Sequence, residues 1–310
     1  MKKIISNITF VAISIFLIIA FSGCAKKTYT VTYDYNNGKE LDTVSYEEGS
    51  VLNAETPKKS GYVFVGWCTD AELSNFYDFN AHVNSDLTLY AKWTLDYEKI
   101  ISSASREAAS FCVKIICANG KSAGNGNVIS QGSGVVYDKK DEYYYVLTNN
   151  HVISEAESNS NGKIYVYDAY GYEYAAEFIR ADASYDLAIL KIKEIKDVSL
   201  GKAKIKSETP GINETVVSIT SPKGQINAIE IGQVAAVKSV TQEGSQTDES
   251  KVTFDVMWLT AYSNNGSSGG AILDTDMNLV GIVYGVATTS SGSFGYTFAI
   301  PGEKISEFLK

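Results

Sequence analysis

The feature that most constrains this chain is a series of short runs of β-branched and aromatic residues, separated by Gly, Asn, Asp and Ser, that continues from Phe111 to near the C-terminus. Four clear runs are residues 134–137, 143–147, 163–167 and 187–192. Runs of this kind are typical of strands, and many short strands in one domain predict a barrel or a sandwich. A chain of 310 residues is also long enough for more than one core. We therefore expect a modular, mainly β protein.

The first residues have the features of a secretory signal. Lys2 and Lys3 precede an apolar stretch over residues 13–21, and a charged start followed by an apolar core and small residues is typical of a signal peptide. The stretch ends in Phe-Ser-Gly-Cys24, which resembles the lipobox of bacterial lipoproteins, where the Cys carries a diacylglycerol after cleavage. We expect a signal peptide over 1–23, lipidated Cys24 with a linker over 24–27, and an extracytoplasmic protein anchored to the bacterial cell membrane. The alternative is an uncleaved transmembrane anchor, for which the apolar run is nearly long enough.

The charge balance argues against two classes of partner. The chain has 36 acidic and 27 basic residues, a formal net charge of −9, and removal of the signal peptide would take away Lys2 and Lys3 as well. An acidic surface repels phosphate groups. We therefore expect neither nucleic acid nor anionic lipid as a partner.

Three cysteines remain besides Cys24, namely Cys68, Cys112 and Cys117. This number is too small and odd for a disulfide framework. Cys112 and Cys117 lie five positions apart in one predicted strand, so their side chains point to opposite faces and cannot meet without a bend. We expect buried small hydrophobic side chains rather than disulfides.

Residues 28–94 have the pattern of a separate small β module. An alternating strand over 28–35 runs into Asn36-Asn37-Gly38, a hairpin turn signal. Together with the later motifs GYVFVGW (61–67) and LTLYAKW (87–93), this segment resembles the Listeria–Bacteroides (internalin B-type) repeat. The resemblance implies a β-grasp-like module that serves as a spacer or, with a surface partner, as an adhesive module. His82 stands alone, and since a metal needs several donors, we expect a loop histidine.

Three residues in the rest of the chain suggest nucleophilic catalysis. His151 follows a predicted strand, Asp186 precedes the apolar run 187–192, and Ser268 lies in a glycine-rich turn before another apolar run. A serine hydroxyl is a poor nucleophile until a base removes its proton, and the base needs an acid that fixes its tautomer. Each residue alone has an ordinary structural explanation, as a strand-end histidine, a turn acid or a loop serine. Together they predict a catalytic triad.

The glycines around Ser268 predict where an oxyanion is stabilised. Backbone N–H groups can point at a developing negative charge only if the turn adopts conformations that favour glycine. Gly266 and Ser268 are therefore the predicted oxyanion-hole donors.

Residues from about 100 to 310 resemble trypsin-like serine peptidases of the HtrA/Deg type. The motifs occur in order along the chain: GSGVV (132–136), TNNHV (148–152), DLAILKI (186–192), VSITSPKG (217–224), GSSGG (266–270) and YTFAIP (296–301). The resemblance implies a chymotrypsin-like double β-barrel over residues 95–310, a triad of His151, Asp186 and Ser268, and cleavage of proteins or peptides through an acyl-enzyme. It implies neither a cofactor nor a metal. The PDZ domain that often follows such a domain is not expected.

Two points of the assignment have alternatives. The family usually has Asn or Asp at position 267, where this chain has Ser267. We assign Ser268 as the nucleophile because a glycine follows it directly. Asp182, four residues before Asp186, is the alternative acid of the triad if the match to the family motif is shifted along the chain.

Specificity and function also have alternatives. The segment 281–287 should form one wall of the primary pocket, and it contains no acid, so we expect small or medium apolar residues at the cleaved position; Tyr284 would narrow this pocket. Two other functions compete with that of a peptidase. One is surface binding or adhesion by a catalytically silent protein with a protease fold, and the other is ester hydrolysis by the same acyl chemistry. Loss of reactivity on Ser268→Ala separates an enzyme from a scaffold.

Overall fold

The computed structural model describes residues 26–38, 40–120, 127–240, 252–288 and 294–310. The chain divides into two compact units, the first reaching residue 57 and resuming over 64–93, the second formed by 58–63 and 94–310. Cys24 and the predicted signal peptide lie outside the described residues. Within the described ranges, no helix is both long and apolar enough to cross a membrane.

The first unit is a four-stranded mixed sheet. Its strands are β1 (Thr28–Asp34), β2 (Asp42–Glu47), β3 (Tyr62–Cys68) and β4 (Leu87–Leu95), in the order β2-β1-β4-β3. β1 pairs with β2 antiparallel and with β4 parallel. Val31, Leu89 and Trp67 form its core, and the Trp67 ring meets Tyr33 edge-on at 5.2 Å between centroids. This sheet occupies the segment for which the sequence predicted the small β-grasp-like module.

Polar residues of the first unit have structural roles. Asn36 and Gly38, between β1 and β2, have φ angles of 47° and 74°, as the turn signal predicted. His82 is exposed, and its Nδ1 lies 2.7 Å from the Gly49 carbonyl oxygen. This hydrogen bond holds a loop, in agreement with the predicted loop histidine.

The first helix of the second unit is α1 (Tyr97–Arg106), and a 3-10 turn at Ala108–Ser110 follows it. The Asp96 carboxylate caps the helix by accepting a hydrogen bond from the Lys99 N–H at 3.1 Å. Ile100 and Ala104 are buried, so one face of the helix packs on the core. The sequence predicts a short helix here, from the early acids Asp96 and Glu98 and the helical spacing of its apolar residues, and the structure confirms it.

The first barrel of the second unit is closed and entirely antiparallel. Its strands are β5 (Cys112–Asn119), β6 (Asn127–Lys140), β7 (Tyr143–Thr148), β8 (Gly162–Tyr167), β9 (Glu173–Asp182) and β10 (Leu187–Lys193), and helix α2 (Asn150–Ser158) follows β7. The strand order around the barrel is β10-β7-β6-β5-β8-β9. Cys112 and Cys117 both lie in β5, are 2% and 0% exposed, and are free thiols, as predicted.

The second barrel is also closed and antiparallel, with the order β11-β12-β13-β16-β15-β14. The closing helix α3 (Gly302–Phe308) buries Ile305 and Phe308. Two closed six-stranded barrels confirm the predicted chymotrypsin-like, mainly β fold. The strands are β11 (Thr215–Thr220), β12 (Ala228–Lys238), β13 (Val256–Leu259), β14 (Ala271–Leu273), β15 (Leu279–Thr288) and β16 (Phe294–Pro301).

Candidate active site

His151 lies in the first turn of a helix. Strand β7 ends at Thr148, Asn149 is extended (φ −86°, ψ 150°), and helix α2 (Asn150–Ser158) begins at the next residue. The strand predicted before His151 is confirmed, whereas the helix that carries His151 was not predicted. Val152 and Ile153 are buried on α2, which anchors the helix to the barrel and leaves the His151 side chain 14% exposed.

Asp186 is buried and bonded to His151 through both carboxylate oxygens. Its Oδ2 lies 2.7 Å from His151 Nδ1, and its Oδ1 accepts the His151 backbone N–H at 3.0 Å. Its side chain is fully buried, its φ is +51°, and its carbonyl accepts a hydrogen bond from Asn149 Nδ2 at 2.8 Å. An ionised carboxylate only accepts hydrogen bonds, so it fixes the proton on Nδ1 and leaves the Nε2 lone pair for a substrate-side proton.

Asp182, the alternative acid, is engaged elsewhere. Its carboxylate accepts hydrogen bonds from the Ser184 hydroxyl and the Ser184 N–H, at 2.5 and 2.7 Å. These bonds lower the pKa of Asp182, the Ser184 hydroxyl being the largest cause. The structure therefore brings Asp186, and not Asp182, to His151.

Ser268 lies on the glycine-rich loop between β13 and β14, next to the helix that carries His151. Its carbonyl accepts a hydrogen bond from the Ser133 N–H at 2.7 Å. A Cβ built on Gly132 would lie 2.6 Å from Val152 Cγ1 and 3.0 Å from the Ser268 carbonyl oxygen, so the helix that carries His151 and the loop that carries Ser268 both pack against Gly132. In the part of the chain that the structure describes, the His151 ring bonds only to Asp186. Hydrogen bonds between base and nucleophile often tighten only when substrate binds.

Ser267 is turned away from the surface. It is 1% exposed, and its Oγ accepts the Asn264 N–H at 3.1 Å and donates to Thr220 Oγ1 at 3.2 Å. Ser267, which departs from the usual family pattern, therefore stabilises the loop through hydrogen bonds to Asn264 and Thr220. Of the two serines, Ser268 is the more exposed.

The carbonyl groups of the loop are held one after another. The five consecutive carbonyls of residues 264–268 each accept a hydrogen bond of 2.7 to 3.0 Å. Their donors, in order, are Ser267 N–H, Lys223 N–H, Ser133 Oγ, Gly270 N–H and Ser133 N–H. Since each trans peptide is planar, a fixed carbonyl also fixes the N–H of the same peptide on the opposite side.

Two N–H groups of the loop are left without an acceptor. The N–H groups of residues 265, 267, 269 and 270 donate to Asn264 Oδ1, the Asn264 carbonyl, the Val283 carbonyl and the Ser267 carbonyl. Among the described residues, the N–H groups of Gly266 and Ser268 donate to no protein group. Two fixed, unused N–H groups close to a serine hydroxyl are the arrangement that an oxyanion requires, and here one belongs to Ser268 itself and the other to the residue two positions earlier. They are the two donors predicted from the sequence.

Glycine is required at two positions of this loop. Gly266 and Gly269 have φ angles of +93° and +86°, in the region that residues with a Cβ rarely adopt. A Cβ at Gly266 would lie 2.7 Å from the Ser221 carbonyl oxygen, and one at Gly269 only 2.1 Å from the Ser133 carbonyl oxygen. The loop therefore has its shape because backbone segments pack directly on each other.

Strand β15 forms the other support of the loop. The Val283 carbonyl accepts the Gly269 N–H at 2.7 Å, and the Val283 N–H donates to the Gly270 carbonyl at 2.9 Å. The next residue, Tyr284, is 5% exposed with its ring 6.1 Å from that of Phe298. Burial, and secondarily the charge of Asp186, raise the pKa of the Tyr284 hydroxyl. The role of segment 281–287 as a pocket wall stays a prediction.

The arrangement fits acyl transfer: a base with a fixed tautomer, a hydroxyl on a neighbouring loop, and two N–H groups for an oxyanion. Within the described ranges, no three His, Cys, Asp or Glu side chains are close enough together to hold a metal ion.

The similarity to known proteins agrees with this geometry. Residues 132–282 match the model of the trypsin-like peptidase domain. This match identifies a trypsin-like peptidase domain in the second unit. Residues 29–92 match the Listeria-Bacteroides repeat domain, which confirms the resemblance seen in the first unit.

Relatives of the peptidase domain are HtrA-type proteases. "Serine protease Do-like HtrA" of Lactococcus lactis subsp. cremoris is 29% identical, over 84% of this chain and 64% of the relative. "Probable periplasmic serine protease do/HhoA-like" of Haemophilus influenzae is 31% identical, over 62% of this chain and 38% of the relative. The chain thus spans between about a third and two thirds of the length of such relatives.

Solved structures show the same fold. The HtrA-type protease AlgW with tripeptide is 26% identical, with a TM-score of 0.53, over 68% of this chain and 62% of that one. Deg5 is 22% identical, with a TM-score of 0.53, over 69% of this chain and 94% of that one; at that identity it supports the fold alone.

Sequence reasoning missed the residues of the peptidase domain that support the site. Ser133 and Lys223 hold loop carbonyls, Asn149 holds the Asp186 backbone, and Thr148 Oγ1 donates to the Ser133 carbonyl at 2.8 Å. Each lies inside a motif that carried the family resemblance. The motifs thus marked these segments as part of the site, but nothing in the sequence indicates which hydrogen bonds their polar side chains make.

Proposed function

We propose that this chain is a serine endopeptidase in which Ser268 is the nucleophile, His151 the general base and Asp186 the acid that orients it. The observation that carries the proposal is the buried His151–Asp186 pair at 2.7 Å, next to a loop whose Gly266 and Ser268 N–H groups have no acceptor among the described residues. The printed names of the relatives, which are serine proteases, support the same reaction class.

The proposed reaction proceeds through an acyl-enzyme. His151 Nε2 takes the proton of the Ser268 hydroxyl as Oγ attacks the scissile carbonyl carbon, and the N–H groups of Gly266 and Ser268 stabilise the oxyanion. The protonated His151 then gives this proton to the leaving amine, and the C–N bond breaks. Water, deprotonated by His151, hydrolyses the ester and restores Ser268. Asp186 stays ionised and stabilises the imidazolium.

Hydrolysis of fluorescently labelled casein tests the proposal with a pair of adjacent serines. Ser268→Ala should lower the turnover rate by at least about 10³-fold, because it removes the nucleophile. Ser267→Ala keeps the nucleophile and should retain far more activity. The proposal fails if Ser268→Ala remains active, or if Ser267→Ala is the variant that abolishes turnover.

The setting that we propose for this activity is extracytoplasmic. The charged start, the apolar segment 13–21 and Cys24 support a signal peptide over 1–23 and a lipid anchor on Cys24, and relatives named as periplasmic agree with export. In this proposal, 24–27 is a linker, 28–94 a spacer or binding module for a surface partner, and 95–310 the peptidase acting on proteins or peptides, with a preference for small or medium apolar residues.

A further inference from the structure

Ser133 is a buried residue of the first barrel that uses all of its polar groups. It lies in β6 and is 1% exposed. Its N–H donates to the Ser268 carbonyl at 2.7 Å, and its carbonyl accepts the Thr148 hydroxyl at 2.8 Å. Its backbone therefore joins the first barrel to the loop of the second barrel that carries Ser268, residues 264–270, which we call the nucleophile loop.

The Ser133 hydroxyl bridges two segments of the second barrel. Oγ donates to the Gly266 carbonyl at 2.8 Å and accepts the Ser221 N–H at 2.8 Å. Gly266 belongs to the nucleophile loop, and Ser221 directly follows β11. The two segments touch, since a Cβ on Gly266 would lie 2.7 Å from the Ser221 carbonyl oxygen.

The Ser221 segment in turn fixes the peptide that carries the Gly266 N–H. Ser221 leads into the 3-10 turn Pro222–Gly224, in which Lys223 has φ +51° and its N–H donates to the Asn265 carbonyl at 2.7 Å. A carbonyl held by Lys223 sends the N–H of the same peptide, which is the Gly266 N–H, in the opposite direction. The Ser133 hydroxyl thus fixes Gly266 in two ways. It binds the Gly266 carbonyl directly, and through Ser221 it holds the turn whose Lys223 N–H binds the Asn265 carbonyl.

We infer that Ser133 is a positioning residue for the oxyanion hole: its hydroxyl, supplied by the first barrel, holds the Gly266 and Ser221 segments together so that the Gly266 N–H faces the reacting carbonyl. This inference rests on the proposed peptidase function. Ser133→Ala would leave a buried carbonyl and a buried N–H unpaired, which is costly enough for the loop to rearrange. The His151–Asp186 pair makes no contact with this hydroxyl and should keep its geometry.

The first test compares Ser133→Ala with Ser218→Ala. Ser218 in β11 is fully buried, and its hydroxyl has no partner among the described residues. Ser218→Ala therefore removes the same side-chain atom as Ser133→Ala without removing a hydrogen bond. We expect the second-order rate of fluorophosphonate labelling at Ser268 to fall at least about tenfold in Ser133→Ala and to stay within about twofold of wild type in Ser218→Ala.

Two further features separate a positioning role from a structural one. In hydrolysis of a peptide substrate, kcat should fall while KM changes little, since an oxyanion hole acts in the transition state. The shape of the pH profile should be unchanged, because the base is intact. Equal labelling of wild type and Ser133→Ala, or an equal loss in both variants, would overturn the inference.

The second test does not depend on activity. Hydrogen–deuterium exchange of peptides that cover 219–225 and 262–270 should be at least about tenfold faster in Ser133→Ala than in wild type, and unchanged in Ser218→Ala. Ser133→Cys, whose thiol is a weaker donor and acceptor, replaces the alanine variant if the latter does not fold. If the fluorophosphonate does not label the wild-type protein, the peptidase proposal fails. If hydrogen–deuterium exchange of these peptides is the same in Ser133→Ala as in wild type, the inference about Ser133 fails.

Discussion

At the scale of single residues, the buried carboxylate of Asp186 is the group on which the proposed base depends. Asp186→Asn replaces one acceptor oxygen by an NH₂ group, so that the side chain can no longer accept both the backbone N–H and the Nδ1–H of His151. The imidazole would then take the wrong tautomer. We expect kcat to fall by about 10³- to 10⁴-fold, measured by hydrolysis of labelled casein.

Asp182→Asn is the matched control for this substitution. Asp182 has the same side chain, lies four positions earlier, and bonds to Ser184 rather than to His151. Its substitution should leave the activity within a few fold of wild type, because no catalytic contact is lost. A large loss in Asp182→Asn together with an active Asp186→Asn would show that the acid has been misassigned.

The support given by Ser133 shows why single-residue roles are hard to predict. The serine and the Gly266 carbonyl that it binds are 133 positions apart, and nothing in either local sequence indicates that they meet. His151, Asp186 and Ser268 could be proposed because their residue types are chemically specific. A serine that positions a carbonyl has no such signature, since serine is common in buried hydrogen bonds of many kinds.

At the scale of elements, the nucleophile loop depends on the close approach of Gly269 to the first barrel. Gly269 has φ +86° and no room for a Cβ, whereas Gly171, with the same φ of +86°, has nothing within 4 Å. Gly171→Ala should lower the free energy of unfolding by about 1–2 kcal/mol through strain alone. Gly269→Ala should cost more and abolish casein hydrolysis, because the backbone of Ser133 must move.

Thermal or urea unfolding of the two alanine variants measures this difference directly. Equal losses of stability in Gly171→Ala and Gly269→Ala, with activity kept in both, would mean that the loop does not need the contact that the structure shows.

Elements differed in how well the sequence predicted them. Strands β6, β7, β8 and β10 of the first barrel and the helix after Asp96 were predicted, because runs of β-branched and aromatic residues and a capping acid are local signals. Helix α2 was not, since it has only nine residues and follows a strand directly, and short helices are stabilised by packing rather than by propensity. His151 was thus proposed from its residue type and its place after a strand, without the helix that carries it.

At the scale of the whole molecule, the proposed location depends on Cys24. If Cys24 carries a diacylglycerol, the full chain expressed in a bacterium should incorporate a palmitate analogue and partition with the membrane, while Cys24→Ser should do neither. Metabolic labelling followed by membrane fractionation measures both. A Cys24→Ser variant that stays in the membrane fraction would favour the uncleaved transmembrane anchor instead.

The proposed active site is tested most directly by labelling the form that begins at residue 25 with a fluorophosphonate, followed by mass spectrometry of the modified peptide. Covalent capture of the probe requires the nucleophile, its base and the oxyanion hole together. We expect a single adduct on Ser268, absent from Ser268→Ala and retained in Ser267→Ala. An unlabelled wild-type protein, or an adduct on another serine, would contradict it.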